Sequence, residues 1–106
     1  MESPFGSETP DGVVENIEYA KRCLLDSINR GEAPIASHLL IAAHHVLDDQ
    51  IKTDRSLGME CGWAWIRRAD AIVVYRDRGI SAGMDLGIAR AHEIGIPIEF
   101  RTLEGE

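Results

Sequence analysis

Ala69-Asp70-Ala71-Ile72-Val73-Val74-Tyr75 is the stretch on which the fold turns. From Ala71 onward it is short, rich in β-branched residues and unbroken by any charged or amide side chain. A strand that is apolar at every position suits a parallel sheet covered on both faces, because alternation arises only where one face meets water. After it, Arg76 to Ile80 is a charged loop, and Ser81-Ala82-Gly83 opens a helix with Leu86, Ala89 and Ile94 on its apolar side. Gly95 ends that helix, and Ile96-Pro97-Ile98-Glu99-Phe100 forms a further short strand. Strand, crossover helix and strand together make the unit from which parallel sheets grow.

Before the central strand, Thr9 is a helix N-cap and Pro10 occupies the first helical position. Val13, Val14, Ile17, Ala20, Leu24 and Ile28 follow at three- and four-residue spacing, which predicts one apolar helix face that ends at Gly31. Ala33-Pro34-Ile35-Ala36 has the length of a strand, with the proline placing it at an edge. Leu39 to Ala43 could form a helical turn, and His44 to Asp49 a loop. A helix is then expected from about Asp54 to Arg68. Its apolar residues, among them Leu57, Met59, Cys61, Trp63, Trp65 and Ile66, lie on more than one side. A helix apolar on several sides in so small a domain predicts a homodimer or higher homo-oligomer joined through the Trp63/Trp65 helix, since tryptophan is a common interface anchor. The simpler alternative is that one tryptophan packs under the sheet.

The whole order is helix, strand, helix, strand, helix, strand, which predicts one α/β domain over residues 1–106 with a parallel sheet between helical layers. Ligands of such sheets bind beyond the carboxyl ends of the strands. Here those ends are Ser37-His38, Tyr75 to Ser81, and the segment Ser3-Pro4-Phe5. With 106 residues and 44% apolar content, the chain can fill one core but not two. The formal charge of −7 weighs against a nucleic-acid polymer as partner, because such binding needs lysine and arginine to displace counterions. No stretch is long enough to cross a bilayer, and no basic start followed by an apolar run resembles a signal peptide. Cys23 and Cys61 lack metal-ligand spacing and are expected to be reduced, buried thiols of a cytoplasmic protein.

Five blocks occur in order: Ser3-Pro4-Phe5-Gly6, Ala33-Pro34-Ile35-Ala36-Ser37-His38-Leu39, Arg68-Ala69-Asp70-Ala71-Ile72-Val73-Val74, Ser81-Ala82-Gly83-Met84 and Gly95-Ile96-Pro97-Ile98. As a set they resemble the nucleoside 2-deoxyribosyltransferase-like superfamily, and in particular a small branch common in bacteria and their phages. The resemblance covers nearly the whole chain. It implies a small flavodoxin- or Rossmann-like three-layer domain, a nucleoside or nucleotide ligand, shared sites in an oligomer, and a glutamate nucleophile early in the helix after Ser-x-Gly. Two departures stand out. Only Met1-Glu2 precede Ser3, so the first strand is short or missing. The position of the glutamate is Gly87, reached both by counting forward from Ser81 and by counting back from Gly95. Glycine supplies no carboxylate.

The candidate ligand-binding residues are therefore Ser3, Pro4, Phe5, His38, Asp70, Tyr75, Arg76, Ser81, Gly83, Met84 and Gly87. Ser81-Ala82-Gly83 at a helix start suits a phosphate, although a plain N-cap has the same sequence. Tyr75 could stack a base or simply cover the core edge. Arg76 and Arg78 could meet phosphates or water. Asp85 is the candidate catalytic carboxylate, but it sits two residues from the family position, which turns it about 200° round a helix. An aspartate in a first helical turn also complements the dipole. His38, His44, His45, Asp48 and Asp49 do not form a metal-ligand pattern, and neither a metal nor another cofactor is expected. Three functions follow. The first is binding, or sequestration, of a nucleotide-derived molecule such as a cyclic nucleotide or ADP-ribose-like signal without turnover, as an anti-defence phage protein would do. The second is an N-glycosidase or deoxyribosyltransferase using Asp85. The third is a partner-binding module built on the tryptophan helix.

Overall fold

The structure is a computed structural model that describes residues 1–7, 9–40, 46–48 and 50–103. The expected helical turn over residues 41–43, together with His44, His45 and Asp49, lies outside the described residues. Helix α1 spans Pro10–Asn29, α2 Ser37–Leu40 and α3 Lys52–Ile66; strand β1 spans Ile72–Tyr75, helix α4 Ala82–Ile94 and strand β2 Ile98–Arg101.

Local chemistry sets the helix ends. Thr9 is extended and its side chain accepts from Gly12 N at 3.0 Å, while Pro10 needs no partner for the N–H it lacks. Ser81 caps α4, its hydroxyl accepting from Met84 N at 3.3 Å. Gly95 closes α4 at φ 79°, a left-handed conformation that an L side chain adopts only at a cost.

β1 and β2 form a two-stranded parallel sheet in the register Ile72–Ile98 to Tyr75–Arg101, with α4 as the crossover. On the other edge of β1, Glu2 makes an isolated parallel bridge to Val74. Glu2 N donates to Val73 O at 2.8 Å, and Tyr75 N donates to Glu2 O at 3.0 Å. Residues 1–3 thus stand where a first strand is expected, shortened to a single bridge.

Alternate residues of β1 pack on different helices, as the period of two requires. Tyr75 clusters with Tyr19 and Cys23 of α1, with Met1, Val73 and Leu103 against them. Ile72 clusters with Ile66 of α3 and Ala91 of α4, flanked by Trp63, Ile96 and Ile98. The result is a small α/β domain.

Three expectations need correction. Ala33 to Ala36 is not a strand: Pro34 offers no N–H to a ladder, and the carbonyl of Ala36 accepts from Leu39 N at 3.0 Å to begin α2. The buried face of α1 runs through Tyr19, Ala20, Cys23 and Ser27, leaving Val14 and Ile28 exposed, because the helix docks on the Tyr75 side of β1 through Tyr19 and Cys23. Cys61 is exposed rather than buried, while Cys23 is buried and its thiol pushed up to about 12, chiefly by burial.

Candidate functional site

The segment after Glu2, the start of α2, the first turns of α3 and the start of α4 enclose a cleft of about 540 Å³. That is the size of ordinary small-molecule sites. Its walls carry Ser3 and Phe5 from the first segment, Ser37 and His38 from α2, and Ser81 to Met84 from α4. α3 adds Asp54, Arg55, Met59 and Trp63, with Gly58 and Gly62 between them.

Ser3 is buried, and its Oγ shares a hydrogen bond with His38 Nε2 at 3.1 Å, the donor being set by the imidazole tautomer. Phe5 meets the His38 ring edge-on at 5.8 Å between centroids. Burial lowers His38 to about 4, helped by the chain's amino group, so the imidazole is neutral at physiological pH. On α4, Ser81 N donates to Met84 Sδ at 3.4 Å, which closes the cap reciprocally. Trp63 lies beneath the Arg90 guanidinium at 5.9 Å, so one tryptophan of α3 faces the cleft and the core. Trp65 is half exposed.

The group with the most consequence is Glu2. Half-buried, it borders both this cleft and the separate cavity beside Asp70, and no side-chain hydrogen bond or salt bridge to its carboxylate is seen among the described residues. Burial raises it to about 7, with the Met1 amino group pulling the other way. Directly opposite is Gly87, buried in α4: a Cβ placed there would stand 2.6 Å from Glu2 Oε1. No real carbon and oxygen approach so closely without a bond. With glycine there the carboxylate keeps this place; a larger residue would make the end of the Glu2 side chain shift.

The candidate residues divide accordingly. Ser3, Phe5, His38, Ser81, Gly83 and Met84 are brought together at the cleft, and Gly87 stands behind Glu2. Pro4 and Arg76 are not among the lining residues; Arg76 lies over the Phe100 ring at 5.5 Å. Asp70 is exposed and borders a separate cavity of about 560 Å³. Asp85 is exposed on α4 and does not line the cleft.

Tyr75 does not face the site at all. It is fully buried, its hydroxyl donates to Asp26 Oδ2 at 2.6 Å, and Arg101 donates to it at 3.3 Å. Arg101 also holds Glu32 with two bonds of 2.7 and 2.6 Å. The strand's period of two sends Tyr75 to the α1 side. Glu2, Asp54, Arg55 and Met59 escaped the sequence reading as site residues. For Glu2 a signal existed: an acid inside a strand position is unfavourable without a purpose. The α3 residues gave none, because their part in the cleft depends on how α3 lies across α2 and α4.

No helix among the described residues is long and apolar enough to cross a membrane. The domain of unknown function DUF7768 matches residues 1–101, so the chain belongs to that family. No curated protein and no solved structure was found to match it.

Proposed function

We propose that this member of the DUF7768 family binds a nucleoside or nucleotide in the cleft between Phe5, His38 and the start of α4. The observation that carries the reading is convergence. Ser3 and Phe5, His38, and Ser81 to Met84 come from three distant blocks of sequence and line one cleft. These are the blocks that resemble the nucleoside 2-deoxyribosyltransferase-like superfamily. On this reading the sheet and its helices are a reduced three-layer, Rossmann-like domain. A phosphate sits at the α4 start, where free N–H groups and the helix dipole favour an anion. The base lies against the aromatic walls of Phe5 and Trp63.

Glycine at position 87 suits retention of an intact ligand, such as a cyclic nucleotide or ADP-ribose-like signal. Asp85, exposed outside the cleft, is poorly placed to cleave one. Any cleavage must draw on another group.

The test is calorimetric titration with 2′-deoxynucleosides, nucleoside 5′-monophosphates, cyclic AMP and ADP-ribose, beside mass spectrometry of small molecules released by heat from the purified protein. A ligand bound with stoichiometry near one supports the reading, and loss of that binding in Phe5→Ala locates it. Absence of binding across the set at millimolar concentrations overturns it. The half-exposed Trp65 supports a homo-oligomer formed through α3. Sedimentation showing a monomer at micromolar concentration removes that part.

A further inference from the structure

We propose that Ser3 and His38 form a nucleophile–base pair, and that the cleft they line hydrolyses small carboxylic esters through an acyl-serine. This activity goes beyond nucleoside binding and does not depend on it.

Three observations converge. First, Ser3 Oγ and His38 Nε2 lie 3.1 Å apart, within the reach of about 2.6–3.2 Å that a base needs to take a hydroxyl proton. The two residues come from segments far apart in the chain, and both line the cleft. Second, each is held in place. Ser3 directly follows Glu2, whose backbone is bonded twice to β1, and the next residue, Pro4, favours an extended backbone at Ser3. The His38 ring stands at the start of α2 with the edge of Phe5 against it. Third, the same cleft offers donors for a developing oxyanion. Ala82 and Gly83 are the first two residues of α4, so their N–H groups have no acceptor within the helix, and none is seen among the described residues. Both residues line the cleft, and nothing within 4 Å would meet even a Cβ at Gly83.

The hydroxyl pairs Tyr19–Asp77 and Tyr75–Asp26 lie on the α1 side of β1 and join parts of the core. The Ser3–His38 pair differs in standing on a cleft wall beside free backbone donors. Burial also keeps the imidazole neutral at physiological pH, so it can accept a proton without first losing one.

The chemistry is balanced with water as the other reactant. His38 Nε2 takes the Ser3 proton as Oγ bonds to the ester carbonyl carbon, and the carbonyl electron pair moves onto oxygen. That oxygen is stabilised by the N–H groups at the start of α4. When the pair returns, the bond to the alcohol oxygen breaks, and the departing alcohol takes its proton from His38. Water then repeats both steps at the acyl-serine, releasing the acid and restoring Ser3. On the nucleotide reading the same N–H groups meet a phosphate; an ester uses them for its carbonyl oxygen.

The experiment uses the full chain with p-nitrophenyl acetate as substrate and phenylmethanesulfonyl fluoride as a covalent label, located by peptide mass spectrometry. Wild type is compared with Ser3→Ala, His38→Gln and Ala82→Pro, and urea unfolding confirms that each is folded. Proline is tolerated at the first position of a helix, and Ser81 before it is already extended, so Ala82→Pro removes one N–H and leaves α4 in place. Wild type is expected to turn over repeatedly and to carry the label on Ser3. Ser3→Ala and His38→Gln should each lose about 100-fold or more in kcat/KM, and Ala82→Pro at least tenfold. Label on another residue, or none, overturns the inference. So does turnover equal in wild type and Ser3→Ala, or a folded Ala82→Pro as active as wild type. Nucleotide binding by calorimetry in a wild type without esterase activity leaves the nucleoside reading standing and removes this one.

Discussion

Replacing Glu2 by glutamine should stabilise this protein, and the gain should depend on pH in a way that no surface substitution imitates. The carboxyl titrates at about 7 in the folded chain against 4.5 when unfolded, because burial disfavours the charge more than the Met1 amino group favours it. Between those values the folded state holds a proton that the unfolded state has released. Stability from this group is therefore full below pH 4.5 and falls as pH rises through 7. At about 1.4 kcal/mol per pH decade, the loss approaches roughly 3 kcal/mol on the alkaline side. Solvent in the cleft screens the charge, so about 1–3 kcal/mol is the expected range. Glutamine has the same shape and no charge to desolvate. Urea unfolding of both proteins at pH 5, 6, 7 and 8 reads the effect. The difference should be small at pH 5, grow to pH 7 and level off by pH 8, where Tm of the variant is higher by about 5 °C or more. A difference that stays constant over this range, or a wild type that is the more stable at pH 8, refutes the argument that Glu2 is a desolvated and unpartnered acid.

Arg101, only 7% exposed, carries the opposite kind of buried charge. Arg101→Met removes both bonds to Glu32 and the bond to Tyr75, and should cost about 1–2 kcal/mol in urea unfolding because Glu32 loses its cation and the Tyr75 hydroxyl a donor. Glu32 itself is held down to about 2 by Arg101 and Ser27, so its stabilising contribution is present above pH 4.5 and is lost as pH falls toward 2. Since Glu32 is 40% exposed, the contribution is about 1 kcal/mol, and acid unfolding of Glu32→Gln should show a correspondingly shallower decline between pH 4.5 and 2. Gly95→Ala meets no atom within 4 Å yet must adopt φ 79°, so it should cost about 1 kcal/mol by backbone strain alone, read as a fall in Tm of a few degrees.

The acidic pair of networks around Tyr19 and Tyr75 shows why the cleft and the structural polar groups must be kept apart. Tyr19 donates to Asp77 at 2.6 Å, and Tyr75 donates to Asp26. Both phenols are raised, Tyr75 to about 12, by burial first and the carboxylates second. Both hydroxyls in these networks have partners on the α1 side of β1. Glu2, on the cleft, has none.

The sequence by itself determined the punctuation of the chain. Thr9-Pro10 start α1, Ser81 and Gly95 bound α4, and Ile72 to Tyr75 form a strand, because caps, left-handed stops and β-branched runs act through neighbours in the chain. It also brought three blocks, at Ser3, His38 and Ser81, under suspicion as one site. Tertiary structure alone decided which side chains share that site. Tyr75 turned to α1 and away from the ligand because a strand alternates its faces and the register with β2 fixed the choice. Asp85, the carboxylate closest in sequence to the expected position, ended in solvent. Glu2, far from it in the chain, came to face Gly87 through a single β-bridge to Val74. Local rules could not foresee that meeting, since the distance between Glu2 and Gly87 is set by the packing of α4 on the sheet and by nothing written near either residue.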